Sequence, residues 1–486
     1  MSDLTETIAL IGFLPVVLLV MGRWRSPAAA IGLVFAAVLF LPPAMRFDLP
    51  GLPPLGKASL PYLYVLLGAV LWLPRRLSLA RPGRGLDWLF IVMLAAGLGT
   101  ALTNRDGLTV GIVAGNKLTP WDAISMGGTV VLEMWLPFVL GRAFVRSERE
   151  LTQLLVAFVV SGLVYSVLCL FEIRMSPQLH NMVYGGHASP FWATRRLGGY
   201  RPTVFMSNGL AVGTFMVCSF LAAVTLARVR RVIPRYAARV APYLGVILVL
   251  VKSTAAILYG LMFAPLLYAA RHRLVVGVLA ALMTVILTYP ILRTSGVFPT
   301  DGLVSAAELL SDERAESLEF RFANEDIILT RALARPWFGW GAHGRHMVFD
   351  EVTGEDISTV DGYWILMFAT RGVFAWLAFF SLAILPVALA ARRLRRISSE
   401  HGRLLLLGLA AISVTYTLDL LPNGLFSNLP LFLSGALVAS SRALAEETPS
   451  AGTGAPPAGE TRDARQNGSR RVRDLLRNRA ARSSRA

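Results

Sequence analysis

Along the 486 residues, apolar runs of roughly 17 to 25 residues recur, the length an α-helix needs to cross the hydrocarbon core of a bilayer. The runs are continuous and not alternating, which is the pattern of a helical bundle and not of a membrane β-barrel. They predict thirteen helices, near 5–21, 27–42, 58–74, 86–103, 123–141, 151–172, 207–227, 241–251, 253–270, 274–292, 361–390, 402–420 and 424–442. The expected fold is all-α: a polytopic transmembrane bundle of about 12–13 helices spanning residues 1–443. Residues 241–270 read equally as one long helix or as two passes. The first run, Thr5 to Met21, follows Asp3 and Glu6 with no basic stretch and no small-residue cleavage site, so it reads as a retained helix and not as a signal peptide.

Charge orients the bundle. Arginines gather in short connections: Arg23 and Arg25; Arg75, Arg76, Arg81 and Arg84; Arg142 and Arg146; Arg228, Arg230, Arg231, Arg235 and Arg239; Arg271 and Arg273; Arg392, Arg393, Arg395 and Arg396. The positive-inside rule puts these in the cytoplasm, which sets the N-terminus outside and the C-terminus inside the cytoplasmic membrane. Because 228–240 and 271–273 must then share a side, residues 241–270 are expected to cross twice or re-enter, with Lys252 near the outer turn. Two long segments face outside. The loop 173–206 holds Arg174, Arg195, Arg196 and Arg201 with no acid, a charge of +4, and the loop 293–360 holds six arginines against twelve acids, a charge of −6. A basic outer loop runs against the charge rule. Translocated loops often carry a few arginines, but clustered guanidinium forks also suit an anion.

Only 16% of residues are charged, against roughly 25% in soluble domains. The net charge of +17 therefore marks loop arginines and a basic tail, and no nucleic-acid fold is visible. Residues 444–486 form that tail, rich in Pro, Gly, Ala and Arg, and are expected to be disordered in the cytoplasm and to meet anionic lipid head groups. Cys169 and Cys218 lie in apolar runs and read as small buried hydrophobes.

In the acidic loop, Leu318 to Ala334 predicts a short amphipathic helix with Phe320, Ala323, Ile327 and Ile328 on one side and an Arg321–Glu325 i,i+4 pair on another. Pro336 stops it. Trp337, Phe338 and Trp340 then alternate with Gly339 and Gly341, a turn suited to the membrane interface. The helix is expected to lie flat over a cavity.

Three stretches resemble a known family. They are GGYRPTVFMSNGLAVGTF (198–215), an arginine-containing approach to a middle helix; RFANEDIILTRALARPWFGWG (321–341), a loop helix followed by a Pro-aromatic-Gly turn; and DGYWILMFATRGVFAW (361–376), the next helix with Gly372 inside it. In order and spacing these resemble the O-antigen ligase and polymerase superfamily, multi-pass glycosyltransferases that act outside the cytoplasmic membrane. The resemblance implies a polyprenyl-diphosphate-linked glycan donor and a glycan or lipid-linked acceptor. Ligases of the family carry a His-Asn type pair where this chain has Asp361 and Gly362, so the resemblance leans toward the polymerase type. A ligase proper is the nearest alternative, and a transporter or flippase for polyprenyl-linked glycan is the alternative of another class.

Transfer from a lipid diphosphate needs cations for the leaving group and a base for the acceptor proton. Arg201, just before a transmembrane helix, is the first candidate for the diphosphate and Arg321 the second. Arg195 and Arg196 assist or bind head groups, and Lys252 either binds or snorkels. Asp361 is a helix cap or the base. His343 and His346 are rival bases. Glu133 and Asp419 line a cavity or pair with other polar groups. No histidine or carboxylate spacing suggests a metal, and no cofactor is expected.

Overall fold

The computed structural model describes residues 2–49, 52–110, 113–196, 198–229, 237–309, 311–424 and 426–446. Arg230, Arg231, Arg235 and the basic tail beyond Glu446 lie outside these residues.

The chain is an all-α polytopic bundle, about 74% helical. In order its helices are α1 (Ser2–Trp24), α2 (Pro27–Phe40), α3 (Leu60–Trp72), α4 (Pro74–Ala80), α5 (Trp88–Thr103), α6 (Pro120–Thr129), α7 (Leu136–Phe144), α8 (Glu148–Met175), α9 (Leu179–Tyr184), α10 (Gly209–Val229), α11 (Ala237–Leu250), α12 (Thr254–Ala269), α13 (His272–Thr294), α14 (Thr300–Glu308), α15 (Asp312–Leu333), α16 (Tyr363–Arg393), α17 (Glu400–Asp419) and α18 (Leu429–Glu446). A π-helical turn, Val130–Trp135, joins α6 to α7 in one continuous span.

All thirteen apolar segments are helical, but they differ in length. Among the described residues eight helices are long and apolar enough to cross a membrane, and α3 with α4, bent by 114°, makes a ninth if taken as one span. The bend falls where Pro74 lacks the N–H a helix needs. The shorter ones are α2, α11 and α12, while α18 carries Arg442 and Glu446 near its end.

Residues 241–270 form two short apolar helices and not one long one. Helices α11 and α12 both pack on α10 and are divided at Lys252, whose φ is 58°. Ser253 touches Gly213 near the start of α10, whereas Arg228 at the far end donates to the carbonyls of Leu267 and Ala270. The chain therefore runs along α10 and back.

One end of the bundle carries both long loops and the first residues of α1, where Thr5 donates to the Tyr184 carbonyl. The other end carries the arginine connections, tied by Arg142–Asp87 and Arg76–Glu150 ion pairs and by Arg393 on Val438 and Ser441. Helices α7 and α18 cross closely because Gly141 and Gly435 face each other's neighbours: a Cβ at either would lie 2.0 Å from a backbone oxygen.

The loop helix departs from its expected form. It begins at Asp312, where acidic residues favour a helix N-terminus, and is preceded by α14. Its buried face is Asn324, Glu325, Ile328, Leu329 and Ala332, while Phe320 and Ala323 are exposed. Glu325 turns inward because it accepts from Tyr289 (2.8 Å), Arg293 (3.0 Å) and Trp364 (2.9 Å) on α13 and α16. Asp326 takes the other Arg293 nitrogen at 2.7 Å. The Arg321–Glu325 pair does not form.

The aromatic turn and Gly372 interlock. Gly372 interrupts α16 with φ 72° and ψ −178°, a conformation confined in practice to glycine. The carbonyls of Ala369 and Thr370, left without helical partners, accept from the N–H groups of Trp340 and Gly341, each at 2.8 Å, and Val373 N–H donates to Pro336 at 2.8 Å. Residues 336–341 thus strap the break. Trp340 is buried under Arg331 and Arg335, whose guanidinium carbons sit 3.5 and 4.3 Å from its ring centre.

Candidate functional site

Arg201 lies in the extended segment before α10. Its position is fixed from below by Glu172 of α8, fully buried, which accepts the N–H groups of Thr203 and Val204 at 2.8 Å each and of Leu179 at 3.0 Å. Val204 has a φ of 50°, a strained value for a β-branched residue, and the Glu172 bond holds it there. The Arg201 side chain crosses the start of α10, where only a glycine leaves room: a Cβ at Gly209 would meet its Cδ at 2.2 Å.

Four other candidates surround it. Arg201 donates to the Lys252 carbonyl at 3.1 Å, and Lys252 Nζ donates to the Arg196 carbonyl at 3.1 Å. Arg196 belongs to a short antiparallel ladder in which Arg195 faces Tyr200 and Arg196 faces Gly199. Burial, with the nearby charges of Arg196 and Arg321, pushes the Arg201 guanidinium down to about 10. Its Nε is buried with no hydrogen-bond partner. Arg321, on α15, lies 3.8 Å from the Asp361 carboxylate. Burial lifts the Asp361 carboxyl above its ordinary range, against the pull of Arg321. The charge of Arg321 also reaches Asp419 and Tyr259. Segments far apart in sequence thus bring Arg196, Arg201, Lys252, Arg321 and Asp361 to one place at the loop end.

Arg195, His343 and His346 are elsewhere. Arg195 is exposed, 5.8 Å above the Phe191 ring. His343 bonds Asp122 at 2.8 Å on the surface. His346 is buried, its Nδ1 without a partner, and burial pushes its imidazole below the usual range, so it is neutral near pH 7. Its neighbour Arg345, with no exposed side-chain surface, donates to the carbonyls of Asp106 and Asn116 and pins the turn to the end of α5. Arg335 does the same through Thr103, Asn104 and Asp106.

Sequence reasoning left Glu133 and Asp419 undecided. Both line a cavity of about 240 Å³ between the α2–α3 connection, the start of α10 and the end of α17. Asp419 accepts from Thr214 (2.8 Å) and Asn423 (2.9 Å). Lys57, in the α2–α3 connection, lines the same cavity and donates to the Phe205 carbonyl at 3.1 Å; burial pushes its ammonium down to about 7. A second cavity of about 270 Å³ holds His346, Arg371 and again Glu133. The helix expected to roof a cavity closes neither of these, since α15 contributes no residue to their walls. It borders instead a third, apolar hollow through Leu333, beside Trp337 and Trp376. Lys57, Glu172 and Arg371 were missed. Their signal was present, because an ionisable residue within or beside a hydrophobic run is costly without a task. Among the described residues no group of three or more His, Cys, Asp or Glu is placed to hold a metal ion.

No protein-family model matches this sequence, and a search of curated proteins finds no significant match, so a functional reading rests on the residues, their spacing and this geometry.

Proposed function

We propose that this multi-pass membrane protein is a glycosyltransferase of the cytoplasmic membrane, transferring or polymerising glycans from a polyprenyl-diphosphate-linked donor on the outer face, with the polymerase type favoured. The observation that carries the reading is the convergence of Arg196, Arg201, Lys252 and Arg321 with one carboxylate, Asp361, at the loop end. Clustered cations in a partly dry setting suit a diphosphate leaving group, and a guanidinium matches its oxygens with paired donors.

In this reading the acceptor hydroxyl attacks the anomeric carbon of the donor sugar. The bond from that carbon to the diphosphate oxygen breaks and its electron pair leaves with the diphosphate, held by Arg201 and Arg321. Asp361 takes the hydroxyl proton. A carboxyl lifted above its ordinary range by burial is a better base than a solvated one. His343, tied to Asp122 on the surface, is less suited to the role.

Purified protein in lipid nanodiscs is expected to extend or transfer lipid-diphosphate-linked oligosaccharide in the presence of chelator, and Arg201→Ala to abolish this while the protein level is kept. Full activity of that variant removes Arg201 from the mechanism. Glycan profiling of a deletion strain separates the types: shortened secreted chains indicate a polymerase, and polymer lost from lipid A indicates a ligase.

A further inference from the structure

Glu133 joins two cavities, and none of the arginines assigned to the diphosphate lines either of them. It sits in the π-helical turn Val130–Trp135. Such turns break the regular register of a helix and concentrate at functional sites. The main-chain carbonyl of Glu133 accepts from Asn428, but its carboxylate has no hydrogen-bond partner among the described residues. Glu133 lies within the apolar Pro120–Phe144 span, where the charges of Arg46 and Arg371 reach its carboxylate but neither bonds it; such a group is expensive, and its retention points to a ligand.

The surroundings narrow the chemistry of that ligand. Lys57, Arg46 and Asp419 share the first cavity with Glu133, and Arg371 shares the second. The ring of Phe426 forms part of both walls. A phosphate or carboxylate ligand would pair with Lys57 and Arg46 but would also meet the carboxylates of Glu133 and Asp419, so the walls carry no net preference for an anion. A polyprenyl tail would strip water from four charged groups and return no hydrogen bond. A hydroxyl-rich neutral ligand suits these walls: each hydroxyl donates to Glu133 or Asp419 and accepts from Lys57 or Arg46, and a sugar ring packs a C–H face on Phe426.

We propose that the two cavities on either side of Glu133 form a saccharide-binding site in which the Glu133 carboxylate accepts hydrogen bonds from sugar hydroxyls. The site requires only a hydroxyl-rich ligand and stands apart from the transfer reaction. Its position follows from the fold, since the connections at residues 43–58, 206–207 and 426–430 that border the first cavity all lie at the loop end.

The test uses dicyclohexylcarbodiimide, an apolar reagent for carboxyl groups in membranes. Full-length protein in nanodiscs is labelled and Glu133 modification is followed by mass spectrometry, alone and with free glucose, galactose, mannose, rhamnose or N-acetylglucosamine. Farnesyl diphosphate serves as a lipid diphosphate without sugar. Expected is labelling of Glu133 that at least one sugar slows by about fivefold at several times its Kd and that farnesyl diphosphate leaves unchanged. Three results overturn the proposal: no labelling in the free protein, labelling no sugar slows, or protection by farnesyl diphosphate alone. Glu133→Gln removes the signal and so verifies its assignment. Because labelling needs no turnover, a protein that transfers no glycan leaves this site standing. An active enzyme whose Glu133 no sugar protects sinks it alone.

Discussion

Asp361 is the residue whose protonation the proposed reaction depends on. It works as a base only when ionised, and burial raises its carboxyl above the usual range of about 4. The acid limb of the pH profile of kcat/KM is therefore expected above that of an exposed carboxylate, with activity lost as pH falls through it. Arg321 pulls the other way, so Arg321→Gln should move the limb to still higher pH in whatever activity survives. An acid limb unmoved in both Arg321→Gln and Asp361→Asn would assign the base elsewhere. Residues of this kind were legible in sequence as candidates, because a charge beside an apolar run has few neutral explanations. Their partners were not. Glu325 has Arg321 one turn away on its own helix, yet it bonds Tyr289, Arg293 and Trp364 on other helices. The i,i+4 rule sees only one helix, and a buried network outweighs an exposed pair worth a few tenths of a kcal/mol.

At the scale of elements, the thirteen apolar segments were readable because a bilayer demands continuous hydrophobic length. The breaks within them were not, since glycine and proline are common in membrane helices whether or not these are broken. The break in α16 is specified jointly by Gly372 and by a turn more than thirty positions earlier in the chain. Replacing Gly372 by Ala puts a Cβ 2.2 Å from the Trp337 oxygen in a backbone region only glycine tolerates. The expected loss is about 3 kcal/mol or more, seen as a clear drop in melting temperature in detergent. Gly277→Ala on α13, whose Cβ would meet nothing within 4 Å, serves as the control and should melt no lower than wild type. Equal melting of the two variants would mean that the strap does not hold the break.

For the whole molecule, charge parity anticipated the gathering of both long loops at one end and of the arginine connections at the other. It also anticipated that α11 and α12 return along α10. The proposed orientation puts the loop end outside. Leu309→Cys, at an exposed position in the long loop, is then expected to react with a membrane-impermeant maleimide in intact cells, and Arg395→Cys, exposed in the connection after α16, only after permeabilisation. The native Cys169 and Cys218 are buried and should stay silent. The reverse pattern would invert the orientation and move the arginine cluster to the cytoplasm.

The strap across Gly372 also has a bearing on biosynthesis. Ribosomes make residues 336–341 before they make α16, so the donors that satisfy Ala369 and Thr370 already exist when the second half of that helix reaches the bilayer. The broken span then never has to sit in lipid with bare carbonyls.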